Sequence, residues 1–160
     1  MRSPYQGLVE AVSSPHRPSA VLFACNENAV RSPIAEALLR HLSRNSIYVE
    51  SCGVRAGTPN PFAETVMDEI GVSLHGHVPK TFAEIADTSF DQIISLTPEA
   101  HHHALELSET MALDAIYWPT ADPTAVWGSR EQVLSAFRAI RDQLMRRIED
   151  YFDFRPPTNA

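Results

Sequence analysis

A cysteine and an arginine stand near the two ends of the stretch Cys25-Asn26-Glu27-Asn28-Ala29-Val30-Arg31-Ser32. A thiolate is a strong nucleophile, and a guanidinium is a planar fork that holds two oxygens of a tetrahedral anion, so the pair suggests attack on a phosphate-like oxyanion. If the loop runs into a helix N-terminus, the backbone amides of Asn26, Glu27, Asn28, Ala29 and Val30 add donors. The positive end of the helix dipole then favours both the anion and the thiolate. Ser32 is a candidate donor to the sulfur. Asn28 is short and polar, tolerates a left-handed turn, and can brace the loop through its side chain. Without that context, Cys25 would read as a small buried hydrophobe and Arg31 as a solvated residue at a helix start.

The flanking segments supply the context. Ser19 to Cys25 is short, apolar and continuous, as a strand buried on both faces of a parallel sheet should be. Ser32-Pro33 reads as an N-cap followed by proline at the first helical position, with Ile34, Leu38 and Leu42 at helical spacing behind it. The alternation continues with a strand from Ile47 to Ser51, a helix from Pro61 to Ile70 stopped at Gly71, and a strand from Phe90 to Leu96. A helix from Pro98 to Leu107, a strand near Ala115 to Trp118 and a long amphipathic helix from Ser129 to Phe152 follow. This pattern predicts a three-layer α/β domain on a doubly wound parallel four-stranded sheet, with ligands beyond the carboxyl ends of the strands, where Cys25 lies. The domain is expected over 19–154, after an extension over 1–18 rich in serine and proline and before a tail over 155–160.

Composition narrows the function classes. The chain has 160 residues, 44% of them hydrophobic, which suits one domain with one core. A net charge of −7 argues against nucleic acid or an anionic membrane surface as partners. Two cysteines are too few for a disulfide framework and lack zinc-site spacing, which points to a reducing, cytoplasmic setting. No stretch reads as a signal peptide or a membrane span. His101-His102-His103 cannot converge on one ion, because adjacent residues on a helix diverge by about a hundred degrees, and a solvated helix surface is expected. His75 and His77 lack further ligands, so neither a metal nor a cofactor is assigned. Cys52, at a strand end, is expected to be packed rather than a redox partner of Cys25.

Cys25 through Ser32, followed by Pro-Ile-Ala-Glu-Ala, resembles the signature loop of the low-molecular-weight protein tyrosine phosphatases, which arsenate reductases of the same fold share. Asp122-Pro123 matches the family's second signature; taken alone the dipeptide would be a simple turn. The resemblance implies a phosphatase in which Cys25 is nucleophile, Arg31 holds the transition state and Asp122 protonates the leaving oxygen, then takes a proton from water. The expected substrate is a phosphorylated protein or a small phosphate ester. An arsenate reductase using an external thiol and a non-catalytic phosphate-binding module are the alternatives.

The chain departs from the family pattern at three places. Val30 stands where many members have a second, protective cysteine. Glu27 replaces a small residue and should weaken anion binding unless it points to solvent. Aromatic walls for a phosphotyrosine slot are not evident, with Val54 and Arg55 in one wall segment and Thr124 after Pro123; Trp127 is a candidate substitute. In thioredoxin-linked reductases two further cysteines form a relay, and by the same resemblance their places fall near Thr97 and Ala104.

Overall fold

The computed structural model describes residues 17–85 and 89–154, so residues 1–16 of the expected extension and the expected tail lie outside the described residues. The apolar run Ala20–Cys25 is strand β1, buried from Val21 to Cys25 because strands flank it on both sides and helices cover both faces. β2 (Tyr48–Gly53), β3 (Gln92–Ser95) and β4 (Asp114–Tyr117) complete a four-stranded sheet in the order β2-β1-β3-β4. Every pairing is parallel. The chain winds from β1 outward to β2, then returns across β1 to β3, so the end of β1 is the switch point at which such sheets bind ligands.

Helices α1 (Arg31–Leu42), α2 (Pro61–Asp68) and α4 (Arg130–Phe152) supply the larger core, in which Val21 and Phe23 meet Ile34, Leu38, Met67, Phe137 and Leu144. Residues of opposite parity on β1, Leu22 and Ala24, face the other side. There they form a smaller cluster with Ala100 and Ala104 of α3 (Pro98–Ser108). The buried stripe of α4, Leu134, Phe137, Arg141, Leu144 and Ile148, has the three-and-four spacing of a half-buried helix. Full burial of each of its apolar side chains contributes about 1.5–3 kcal/mol. Ser129 and Gln132 cap its start reciprocally, at 3.2 and 2.8 Å. Arg138 grips Glu69 with Nε and NH2 at 2.8–3.1 Å, and the buried Arg141 reaches both Glu69 and the Val66 carbonyl, tying α4 to the end of α2.

Element boundaries differ from the sequence reading where tertiary pairing decides them. β2 runs on to Gly53 because Gly53 is still in register with Cys25. β3 is shorter than expected, and Phe90 is buried ahead of it. α2 ends at Asp68, and a turn through Gly71, at φ +72°, closes with Val72 N–H on the Met67 carbonyl at 3.1 Å. The expected cap at Ser32 is corrected: α1 starts at Arg31, Val30 is the N-cap residue, and no side chain caps the helix. The histidine run is also not a plain solvated surface. His101 stacks on Tyr117 at 4.9 Å and His103 on Phe82 at 5.3 Å, while His102 alone is exposed, 3.1 Å from Glu106. Among the described residues no three His, Cys, Asp or Glu are grouped as a metal ion needs. No helix among them is long and apolar enough to cross a membrane.

Candidate active site

The loop between β1 and α1 is shaped by where its backbone groups find partners. The carbonyls of Cys25, Asn26 and Glu27 accept from the amides of Val54, Arg55 and Gly57 at 3.1, 2.8 and 2.8 Å. The Asn28 carbonyl meets His77 Nε2 at 2.9 Å, and since a carbonyl only accepts, that nitrogen carries the proton. The amides from Asn26 to Arg31 donate to no acceptor among the described residues. With its carbonyls engaged and its amides unengaged, and with an uncapped helix behind it, the loop is a cradle of donors for an anion.

Asn28 holds this shape from the inside. It is fully buried at φ +55°, the left-handed conformation its short polar side chain permits. Its Nδ2 donates to Ser32 Oγ and to Ser51 Oγ, each at 2.8 Å, and its Oδ1 accepts from Lys80 N at 3.0 Å. Ser51 donates to Glu36, whose other oxygen accepts from Arg40 at 2.6 Å. Ser32 Oγ lies 2.9 Å from Cys25 Sγ and 3.3 Å from the Cys52 carbonyl. The hydroxyl has one proton; when the sulfur is deprotonated, that proton belongs on the nearer, charged acceptor. Gly53 leaves room for the turn, since a β-carbon there would stand 2.5 Å from Arg55 O and 2.8 Å from Asn28 N.

A cavity of about 310 Å³ opens above the cradle, lined by Cys25, Asn26, Glu27, Ala29, Val30, Arg31, Arg55, Asp122 and Thr124. Asn28 and Ser32, also expected at the site, lie beneath it as its support. Arg31 is steered by its NH1 bond to the Thr120 carbonyl at 2.9 Å, which also links it to the loop bearing Asp122. Asp122 is exposed, with Oδ1 fixed by Thr124 N and Oγ1 at 2.9 and 2.6 Å and Oδ2 without a partner among the described residues. Glu27 is exposed at the rim. No aromatic side chain lines the cavity, and Trp127, the expected substitute, is 93% exposed on the same loop as Asp122.

Cys52 is fully buried, paired with Ala24 on the face of the sheet opposite to Cys25, and both thiols are free. Burial pushes the Cys52 thiol well up, so it is inert as a nucleophile. Of the support residues, Glu36 belongs to the Pro-Ile-Ala-Glu-Ala run that follows the loop, whereas Ser51, His77 and Lys80 have no motif of their own in the sequence, His77 being there only half of an incomplete ligand pair.

The sequence model of the family described as "Low molecular weight phosphotyrosine protein phosphatase" matches residues 20–154. A glutaredoxin arsenate reductase from Synechocystis sp. is 28% identical over 132 residues, 81% of this chain and 93% of that protein. The crystal structure of the Erwinia amylovora tyrosine phosphatase amsI superposes with a TM-score of 0.68 at 21% identity, over 85% of this chain and 92% of that one. An arsenate reductase in its phosphate-binding state superposes with a TM-score of 0.66 at 27% identity, over 84% of this chain and 97% of that one. The cradle after β1, the aspartate loop facing it and a family match that spans the whole sheet agree: the chain belongs to the low molecular weight phosphotyrosine protein phosphatase family.

Proposed function

We propose that this protein hydrolyses phosphate monoesters of the phosphotyrosine type through a cysteinyl-phosphate intermediate. The observation that carries this reading is that Cys25 and Arg31, at the two ends of one loop, and Asp122, from a stretch about ninety residues further on, line one cavity. In the first step Cys25 Sγ attacks phosphorus and the ester P–O bond breaks. The departing oxygen takes the proton of Asp122, and Arg31 with the amides of Asn26 to Val30 holds the equatorial oxygens. In the second step water attacks phosphorus, the S–P bond breaks, Asp122 takes the proton, and inorganic phosphate leaves. Ser32 supports the sulfur through both steps. The test is phosphate release from an aryl phosphate by wild type and Cys25→Ser; the variant should bind vanadate yet turn over nothing, and undiminished release would end the mechanism.

A second reading has its own support, in the arsenate reductases among the curated relatives. Reduction by this chain would need two external thiols, which leave as a disulfide while arsenate becomes arsenite and water. An internal relay is disfavoured, because Thr97 caps α3, Ala104 is buried in it, and Cys52 faces away from Cys25. Arsenate-dependent oxidation of glutathione and of thioredoxin, run beside phosphotyrosine hydrolysis, separates the readings. Robust arsenate turnover with negligible phosphate release would favour the reductase.

A further inference from the structure

The rim of the cavity carries a carboxylate for which the hydrolysis has no use. Glu27 lines the cavity with Cys25 and Asp122, is exposed, and has no ion-pair or hydrogen-bond partner among the described residues. It is nonetheless positioned. A β-carbon at Gly57 would stand 3.0 Å from Glu27 Cβ and 3.3 Å from Oε2, so the side chain lies against a residue that leaves it room, and Gly57 N donates to the Glu27 carbonyl at 2.8 Å. A carboxylate there works against a bound phosphate dianion, a cost that an accompanying cation would offset.

The other charges at the rim do not supply that cation. Arg55 is held by Glu99 at 2.8 Å, which leaves the pair neutral, and Arg31, bonded to the Thr120 carbonyl at 2.9 Å, is assigned to the phosphoryl oxygens by the proposed mechanism. The unmatched charge is negative, within a chain whose net charge is −7. The exposed indole of Trp127, on the loop that bears Asp122, also favours a cation, because the face of an aromatic ring attracts ammonium and guanidinium groups. With no aromatic wall in the cavity, recognition falls more on the groups around the phosphorylated residue than on a ring stacked inside.

We propose that the site selects phosphate monoesters carried on protein segments with lysine or arginine beside the phosphorylated residue, with Glu27 as the residue that sets this preference. The inference rests on the phosphatase reading and specifies its substrate class.

Three phosphotyrosine peptides, alike except for lysine, alanine or glutamate on both sides of the phosphotyrosine, test it in a phosphate-release assay with wild type and Glu27→Gln. Wild type should rank them lysine, alanine, glutamate. The lysine-to-glutamate ratio of kcat/KM should be about tenfold at low ionic strength, as expected for exposed charge pairs, and shrink at high salt as they are screened. Glu27→Gln should cut the ratio to about threefold or less, mainly through KM, and improve the glutamate peptide because a rim repulsion has gone. Equal rates across the peptides in wild type, or a ratio untouched by Glu27→Gln, would overturn this inference and leave the phosphatase reading standing. No release from any peptide or from an aryl phosphate would overturn both.

Discussion

Ser32 Oγ lies 2.9 Å from Cys25 Sγ while accepting a hydrogen bond from Asn28 Nδ2 at 2.8 Å, so the hydroxyl's acceptor side is occupied and its proton can turn to the sulfur. A hydrogen bond to a charged group contributes about 1.5–3 kcal/mol, which corresponds to roughly ten- to hundredfold in rate when it acts on the reacting nucleophile. Ser32→Ala should lower kcat for an aryl phosphate by that range. A fall of less than twofold would remove Ser32 from the support of the sulfur.

Asp122→Asn should depend on the leaving group. One oxygen of its carboxyl is fixed by Thr124 and the other has no partner among the described residues, which suits the general-acid role proposed for it. General-acid catalysis contributes about 10²–10⁴-fold where the departing oxygen is basic, and far less where it is already a stable anion. The variant should therefore be badly impaired on alkyl and weakly acidic phenyl phosphates and only mildly on esters of acidic phenols. Equal impairment across a series of phenols would make Asp122 a turn residue.

What could be read in the sequence was whatever local chemistry reports. Ala20–Cys25 had to be an interior strand, since nothing in it is polar enough to face water, and the alternation of apolar runs with helical spacing implied the parallel sheet. The loop's thiol, guanidinium and left-handed asparagine announced themselves by type and spacing. The support beneath them did not. Ser51 meets Asn28 across 23 positions and His77 meets it across 49, separations at which periodicity carries no signal. Ser32 resembles a cap in the sequence for a related reason: the hydroxyl that suits it to an N-cap is the same group that here turns inward to Cys25 and Asn28.

Gly53→Ala should separate activity from stability. The new methyl would press on the backbone at Arg55 O, Asn28 N and Asn26 O, at 2.5, 2.8 and 2.9 Å, so relief requires the cradle itself to move. Overpacking of this kind costs about 1–3 kcal/mol of stability, which a domain of this size can survive. The shifted amides and Arg31 would no longer meet a transition state, where misplacement by about 1 Å loses about a hundredfold. The check is kcat/KM beside a denaturant midpoint; near-native kcat/KM would show that the loop tolerates the displacement.

The last prediction concerns acid stability and rests on the clasp between α2 and α4. Arg138 holds the Glu69 carboxylate through Nε and NH2, Arg141 adds a bond at 2.8 Å, and these hydrogen bonds, Arg138's foremost, push the carboxyl down to about 2. An unfolded glutamate titrates near about 4.3, so folding favours the ionised form. The sign follows: the stabilisation is complete above the unfolded value and is lost as pH falls from about 5 toward 2, because the unfolded chain then binds a proton that the folded one resists. Glu131 and Asp142, which also contact these arginines, remain in a Glu69→Gln variant and keep the arginines partnered. Thermal midpoints of wild type and Glu69→Gln should differ most near neutral pH and converge as the solution is acidified through that window. Parallel curves down to pH 2 would show that the clasp contributes no pH-dependent stability.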